Sequence, residues 1–494
     1  MKSIRKPNFF EAFSPIVVML LLLAIGYGVF KFPPEPLLIL ASLYAGLIAL
    51  RLGLKWDDMM DGIQDKIRQA MPSILILISI GILIGTWMIS GTIPMLIYYG
   101  LNLINPDFLI VIAFIVSALI SIVTGTSWGS VGTVGVALMG IATGLDANLA
   151  ATAGAIVSGA YFGDKLSPLS DTTNLAPIAA GSELYEHIKH MLWTTVPAAL
   201  IALVAYFIAG LQLSPGNVET PETMTAMLAT LKEMFKFSWL LLLPPAIVLI
   251  GSIRKYPTLP VIIFSSIVAA IIGWLYQGFS ATNIFASTVS GFTVEMVEKA
   301  GFDPEGVIFE VTRLVNQGGM QSMTGVVLIA FAAFIFAGIM TKSGSLEVII
   351  EALMKIVKRT GDLILSTVLS CITMALVTGN SYLSIIVPGE IYKDTYKSKG
   401  LAAKNLSRTL EDSGTVIVPL IPWSSAGVFM AGTLGVSVFE YAPWAILCYT
   451  GFIFAIILGY TGIGISKIDG GKTPPPPNGG SRAADRPAVS AVNK

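Results

Sequence analysis

The sequence predicts an all-α polytopic membrane protein: two inverted-topology repeats with broken helices and re-entrant hairpins, in roughly eleven to fourteen membrane segments. Three observations carry that expectation. The 494 residues are 54% hydrophobic and only 12% charged, with a mean hydropathy of +0.78, which is too apolar for a water-soluble globule of this length. Polar motifs recur in the same order in the two halves of the chain. The loops that follow equivalent motifs carry opposite charge patterns, as they would if the halves were inserted in opposite senses.

Membrane-length apolar runs lie near residues 16–30, 72–90, 108–123, 147–162, 192–211, 238–251, 259–277, 325–341, 363–378 and 441–464. Shorter or interrupted runs lie near 37–50, 131–144, 383–391 and 413–434. No small-residue cleavage site follows the first run, so it reads as a retained helix rather than a signal peptide. Lys2, Arg5 and Lys6 before it, and Arg51, Lys55, Lys66 and Arg68 after the second, predict a cytoplasmic N-terminus in the cell membrane. Residues 56–70 place charges on one side and Met, Ile and Trp on the other, the pattern of an interfacial amphipathic helix. Residues 91–107 contain no Lys or Arg and are expected to face outward.

The repeat rests on three matches. Gly338 to Gly344 repeats the Gly-x-x-x-x-Ser-Gly frame of Gly85 to Gly91, and Thr378-Gly379-Asn380-Ser381 echoes Thr124-Gly125-Thr126-Ser127. The polar run Glu411-Asp412-Ser413-Gly414-Thr415, with Pro419 and Pro422, stands where the first half has Asp164 to Pro177. Lys355, Lys358 and Arg359 follow Gly344, whereas the loop after Gly91 has no counterpart cations. The basic residues at 393–408 ask for the cytoplasmic side, which a re-entrant turn at Thr378 to Ser381 would reconcile. The expected organisation is residues 1–71 as N-terminal helices and interfacial helix, 72–277 as the first repeat and following helices, 278–324 as an extracytoplasmic polar connection, 325–465 as the second repeat, and 466–494 as a disordered Pro-rich tail.

Function should reside where ionisable groups interrupt apolar sequence, because each costs about 2.5 to 3.5 kcal/mol at the centre of a spanning helix. Asp164 and Asp412 are the intramembrane carboxylates of the two polar runs. They are the first candidates for Na+ coordination and proton coupling, since a carboxylate can hold a proton or a sodium ion but not comfortably both. Asp171, Thr172 and Asn174 offer hard oxygen ligands, although Asp171 could equally cap a helix. Thr126, Ser127, Asn380, Ser381 and Ser413 lie at or near the Gly-flanked breaks, where hydroxyls and freed carbonyls can line the same cavity; back-bonding to their own helices is the alternative. Lys165 reads as either an ion-pair partner or, by preference, a side chain that snorkels to an interface.

Other readings are weaker. Gly125-Thr126-Ser127-Trp128-Gly129 matches a hydrolase nucleophile elbow, but a membrane-length run precedes it where a strand is needed. His187 and His190 sit in a stretch that looks interfacial and make a poor metal site. Cys371 and Cys448 fall in apolar segments and read as core residues. A formal net charge of zero gives no argument for nucleic acid, and no Gly-x-x-x-x-Gly-Lys-Ser/Thr loop is present. No cofactor is expected; the lipid bilayer is the required surrounding, and a homodimer is compatible with the sequence.

The Gly-Thr-Ser-Trp-Gly-Ser run at 125–130 and the run from Gly163 to Pro177 (GDKLSPLSDTTNLAP) resemble the NhaC family of Na+/H+ antiporters, and the resemblance covers residues 10 to 465. It implies the ion-transporter fold of inverted repeats, and an alternating-access exchange of sodium for protons. The same family includes exchangers that couple sodium and protons to organic acids such as malate and lactate. Lys165 alone reads as a basic residue within a span, which favours cations as the only cargo, yet helix termini at Ser127 or Ser381 could bind a carboxylate unaided. A non-transporting sensor on the same fold is the remaining alternative.

Overall fold

A computed structural model describes residues 5–213, 221–299, 302–355 and 357–468. The described chain is helical, apart from one isolated antiparallel bridge between Leu401 and Lys467. The tail beyond residue 468 lies outside the described residues.

Helix α1 (Phe9–Leu21) starts at an Asn8/Glu11 capping box and continues in wider turns to Val29. α2 (Pro34–Leu52) has prolines at its start and ends on Gly53 at φ 98°. α3 (Trp56–Ile89) is a single helix of 34 residues. The stretch 56–70 is therefore not a separate interfacial helix: its Met59, Gly62, Ile63 and Lys66 are buried, so its apolar face meets protein rather than lipid headgroups. α4 (Thr92–Leu103), α5 (Leu109–Thr124), the short α6 (Ser127–Ser130), α7 (Val136–Gly144), α8 (Leu149–Leu166), α9 (Asp171–Ala180) and α10 (Leu184–Leu213) follow. α11 (Pro221–Met234), α12 (Leu243–Ile253), α13 (Thr258–Ile272), α14 (Ala281–Val289) and α15 (Phe309–Val315) lead into the second half. That half comprises α16 (Thr324–Lys342), α17 (Ser345–Lys355), α18 (Thr360–Thr378), α19 (Ser381–Ser398), α20 (Ala403–Leu410), α21 (Ser425–Leu434), α22 (Val438–Tyr441) and α23 (Ile446–Thr461).

Among the described residues, 8 helices are long and apolar enough to cross a membrane, or up to 11 if each bent pair is one span. One bent pair, Ala403–Leu420 with Ser425–Leu434, turns by 49° and carries the second polar run. Large side chains on the rim, such as Leu200, Val204 and Phe264, are exposed as a lipid-facing surface requires.

Glycine sets how closely α3 is approached. A Cβ on Gly62 would lie 2.6 Å from the carbonyl oxygen of Gly338 in α16. Cβ atoms on Gly81 and Gly85 would lie 2.5 Å from Gly319 O and 2.0 Å from Ser287 O, and Gly319 N donates to Gly81 O at 2.8 Å. The connection 278–324 is thus not merely a solvated link: it carries α14 and α15, buries Phe292, Val294, Val311 and Leu314, and presses its backbone onto α3.

Candidate functional site

Two antiparallel hairpins frame the site. At the end of α5 the chain reverses at Gly125 (φ 67°), Thr126 caps α6, and Ser130 Oγ reaches back to Ser117 O at 2.8 Å. At the end of α18 it reverses at Gly379 (φ 62°), Asn380 caps α19, and the Tyr392 hydroxyl returns to Ser370 at 3.0 Å. Each reversal needs a left-handed residue, which glycine supplies without a steric cost. The correspondence reaches individual atoms: Thr124 Oγ1 bonds Ile120 O, as Thr378 Oγ1 bonds Met374 O. Each hairpin tip also packs on a polar turn, Gly125 against Ser170 and Gly379 against Ser424, where these serines cap α9 and α21.

The pairs Gly125/Gly379, Thr126/Asn380, Ser170/Ser424 and Gly181/Gly435 are all separated by 254 positions. In that register Asp164 stands opposite Val418, and Asp412 opposite Ser158. The two aspartates are therefore not equivalent positions of the repeat, and the site they help build is asymmetric.

The last turn of α8 carries Asp164 and Lys165, both buried. Asp164 Oδ2 accepts a hydrogen bond from Ser127 Oγ at 2.9 Å, which ties the first hairpin tip to the carboxylate, while Oδ1 has no protein donor. Thr173 Oγ1 donates to the carbonyls of Asp164 and Lys165 at 3.0 and 3.2 Å, fixing α9 to the end of α8. Lys165 Nζ lies 2.5 Å from Asp412 Oδ1, and the same oxygen accepts from Thr194 Oγ1 of α10 at 3.0 Å. Lys165 does not snorkel: with 2% of its side chain exposed, it is held inside by the buried carboxylate.

Asp412 belongs to a wide turn, Glu411–Thr415, with the five-residue hydrogen-bond spacing of a π-helix. The whole stretch from Asn405 to Thr415 is enclosed on every face, so two consecutive acidic side chains lie in the interior. Glu411 and Asp412 are both 0% exposed, and neither oxygen of Glu411 has a hydrogen-bond partner. Arg408, one turn earlier, is also fully buried; its Nη1 donates to Gly464 O at 3.0 Å, while Nε and Nη2 are unpartnered. Three acidic and two basic side chains are thus buried in one region of the interior. Such a cluster costs several kcal/mol per uncompensated ion and is tolerated where it carries function.

A family model described as the Na+/H+ antiporter family matches residues 159–463, from the approach to Asp164 through α23. The chain belongs to this family. It is similar to an uncharacterized Na+/H+ antiporter of Haemophilus influenzae, 53% identical over 94% of this chain and 98% of that one. It is also similar to the Na+/H+ antiporter NhaC of Alkalihalophilus pseudofirmus, 37% identical over 91% and 95% of the two chains. The malate-2H+/Na+-lactate antiporter of Bacillus subtilis is 34% identical over 94% and 96%. As a member of the antiporter family with this many apolar helices, the chain is an integral multi-pass membrane protein.

Within this antiporter framework the other expected site residues separate into two groups. Asp171 opens α9 but does not cap it; Ser170 does, and the Asp171 carboxylate instead accepts from the Tyr382 hydroxyl of α19, joining the halves at a more exposed level. Thr172 is buried beside Ser170 Oγ, at 3.2 Å. Asn174 turns its amide nitrogen to Pro168 O and Ser170 O at 2.9 and 2.6 Å, and so braces its own turn. Thr126 and Asn380 accept from backbone amides at the helix starts, and Ser413 Oγ bonds Thr409 O at 2.5 Å. Ser381 follows the second break and is half-buried. Only Ser127 among these hydroxyl and amide candidates touches Asp164 through its side chain.

Sequence reasoning passed over Glu411, Arg408 and Thr194. The sole basic residue expected within a span was Lys165, but Arg408 is also a fully buried cation beside it; its place at the end of a run of basic residues concealed this. His187 and His190 are buried against protein and paired with Ser407 and Asn405 of α20 at 2.9 and 3.1 Å. Ser127 follows a helix rather than a strand, and its partner is a carboxylate, so the elbow geometry is not formed. Cys371 and Cys448 are buried free thiols, as their apolar setting indicated.

Proposed function

We propose that this protein is a secondary transporter that extrudes Na+ in exchange for H+ by alternating access, with Asp164 as the principal cation ligand. The observation that carries this reading is the asymmetry of its carboxylate: Oδ2 is anchored by Ser127 at a helix break and Oδ1 is buried without a partner. A small cation accepts exactly such hard oxygens, with hydroxyls and carbonyls freed at the breaks completing its shell. The neighbouring Lys165–Asp412 pair is neutral overall and leaves the Asp164 carboxylate as the charge available to a cation. Likeness to the NhaC antiporters over more than nine-tenths of the chain supports sodium and protons as the cargo. The same reading places the protein in the cell membrane with a cytoplasmic N-terminus, as a transporter rather than an enzyme, with a homodimer as its candidate assembly.

The test uses purified protein in proteoliposomes carrying an imposed pH gradient. Addition of Na+ alone should collapse the gradient, and Asp164→Asn should abolish that response while the variant remains monodisperse in detergent. An undiminished response from Asp164→Asn overturns the assignment.

A second reading, exchange coupled to an organic acid, is favoured by one observation: Arg408 has two unpartnered nitrogens in the buried cluster, where a carboxylate could be received. A gradient that collapses only when malate or lactate accompanies Na+ selects it.

A further inference from the structure

Where charged sequence gives way to apolar sequence, α3 and α13 lie side by side and leave a groove of about 740 Å³ between them. Further along both helices, Trp87 Nε1 donates to Ser265 Oγ at 3.0 Å and closes the gap. The border falls at matching points of the two helices. On α3 the charges end at Arg68 and apolar sequence begins at Met71; before α13 they end at Arg254-Lys255 and apolar sequence begins at Leu259. Arg68, Pro257 and Thr258 line the same groove, so the two borders lie at one level. Tyr256, exposed in the turn between α12 and α13, has the amphipathic ring that favours a membrane–water interface. The floor is apolar, formed by Ile67, Met71, Leu75, Ile76 and Leu259, of which Met71 and Leu75 are exposed.

We infer that this groove seats an anionic phospholipid, with an acyl chain against Met71, Leu75 and Leu259 and its phosphate among Arg68, Arg254 and Lys255. The charge pattern chooses that occupant over a neutral lipid. All three cations are exposed, and among the described residues none forms an ion pair, not even Arg68 with Asp65 one turn away on α3. The Arg68 guanidinium offers a planar fork of donors suited to phosphate oxygens, and Gln64 and Thr258 add an amide and a hydroxyl to the lining. Two other grooves of comparable size have no charged lining residue: one of about 580 Å³ between α3, α13 and α14, and one of about 650 Å³ between α1 and α2. Those fit the acyl chains of any lipid. The Arg68 groove joins apolar length to uncompensated positive charge, which is the chemistry of an anionic diacyl lipid. A free phosphate would meet the cations but leave the apolar floor bare. The inference is independent of which ions the protein carries.

The experiment is native mass spectrometry of the purified full chain in detergent, with palmitoyl-oleoyl phosphatidylglycerol and its phosphatidylcholine counterpart supplied separately at equal concentration. Wild type should retain phosphatidylglycerol at least about fivefold better, and Arg68→Gln/Arg254→Gln/Lys255→Gln should erase that preference. Leu75→Trp, which fills the groove and keeps every charge, should also lower phosphatidylglycerol retention at least about fivefold. Lys393→Gln/Lys397→Gln, which removes two exposed cations elsewhere, should leave it unchanged. Equal retention of both lipids by wild type overturns the inference. So does a preference that survives the triple substitution, or one that falls as far when Lys393 and Lys397 are replaced. Unchanged retention in Leu75→Trp, or full displacement by millimolar inorganic phosphate, overturns the lipid assignment in favour of a simple anion site. Should the triple variant aggregate, Arg68→Gln alone should lower the preference at least about twofold, and no change overturns the inference.

Discussion

Replacing Lys165 by Met isolates the energetics of the buried ion pair. The substitution keeps an unbranched side chain of similar length but removes the charge, leaving Asp412 with Thr194 as its hydrogen-bonding partner on Oδ1 and none on Oδ2. Both pair members are essentially out of contact with solvent, at 2% and 0% exposure, so surface screening does not discount the loss. Removing one partner of such a pair typically costs about 3 to 5 kcal/mol, because the remaining charge is uncompensated. Removing both charges, in Lys165→Met/Asp412→Leu, should return stability to within about 1.5 kcal/mol of wild type, since the desolvation penalty disappears with the attraction. Reversible unfolding in mixed detergent, with the Asp412→Leu single variant completing a double-mutant cycle, measures the coupling directly. A Lys165→Met loss below about 1 kcal/mol, or singles that simply add in the double variant, would refute the claim that these groups are coupled in the membrane interior. The double variant should nevertheless be inactive, which separates the pair's stability effect from its role in transport.

Three further outcomes are expected. Ser127→Ala removes the donor to Asp164; a hydrogen bond to a charged group is worth about 1.5 to 3 kcal/mol, so the apparent Na+ affinity in flux assays should change by about ten- to a hundredfold, with protein yield retained. Gly62→Val forces carbon into the 2.6 Å approach to the Gly338 carbonyl, and should lower stability by at least about 2 kcal/mol in the same detergent unfolding assay, whereas Gly400→Ala, in open space, pays only for its left-handed backbone. Protons compete with Na+ for the cluster's carboxylates, so lowering pH should weaken Na+ binding, by up to about tenfold per pH unit for one competing proton, as measured by isothermal titration; binding that strengthens on acidification would contradict the scheme.

The hairpins were legible in the sequence because backbone reversal inside apolar sequence demands glycine flanked by capping hydroxyls or amides, and Gly125 and Gly379 satisfy that demand locally. Asp164 was legible for a related reason: a carboxylate that close to a helix break has few uses other than a functional one. Its partner Ser127 lay in the neighbouring motif. The Lys165–Asp412 contact spans 247 positions, and nothing local to either residue specifies it. Arg408 was counted with surface lysines because charge counts in a loop carry no information about which face of the next helix turns inward. Glu411 sat beside the more conspicuous Asp412, and the enclosure of the whole stretch from Asn405 to Thr415, which puts both acids in the interior, is set by packing from distant helices. The merger of 56–70 into α3 was hidden because an amphipathic face can meet a neighbouring helix as readily as a membrane surface.

The glycine contacts along α3 have a mechanical consequence. At Gly62, Gly81 and Gly85 the neighbouring chain approaches backbone to backbone, with no side chain between to act as a bearing or to re-seat in a second rotamer. α3, α16 and the segment around Gly319 are therefore joined at contacts that leave no slack for sliding. Under the proposed alternating access, displacement that opens the charged cluster to one side and then the other falls elsewhere, and Gly125 and Gly379, with the wide turn beside Asp412, are the interruptions of regular helix that border the cluster.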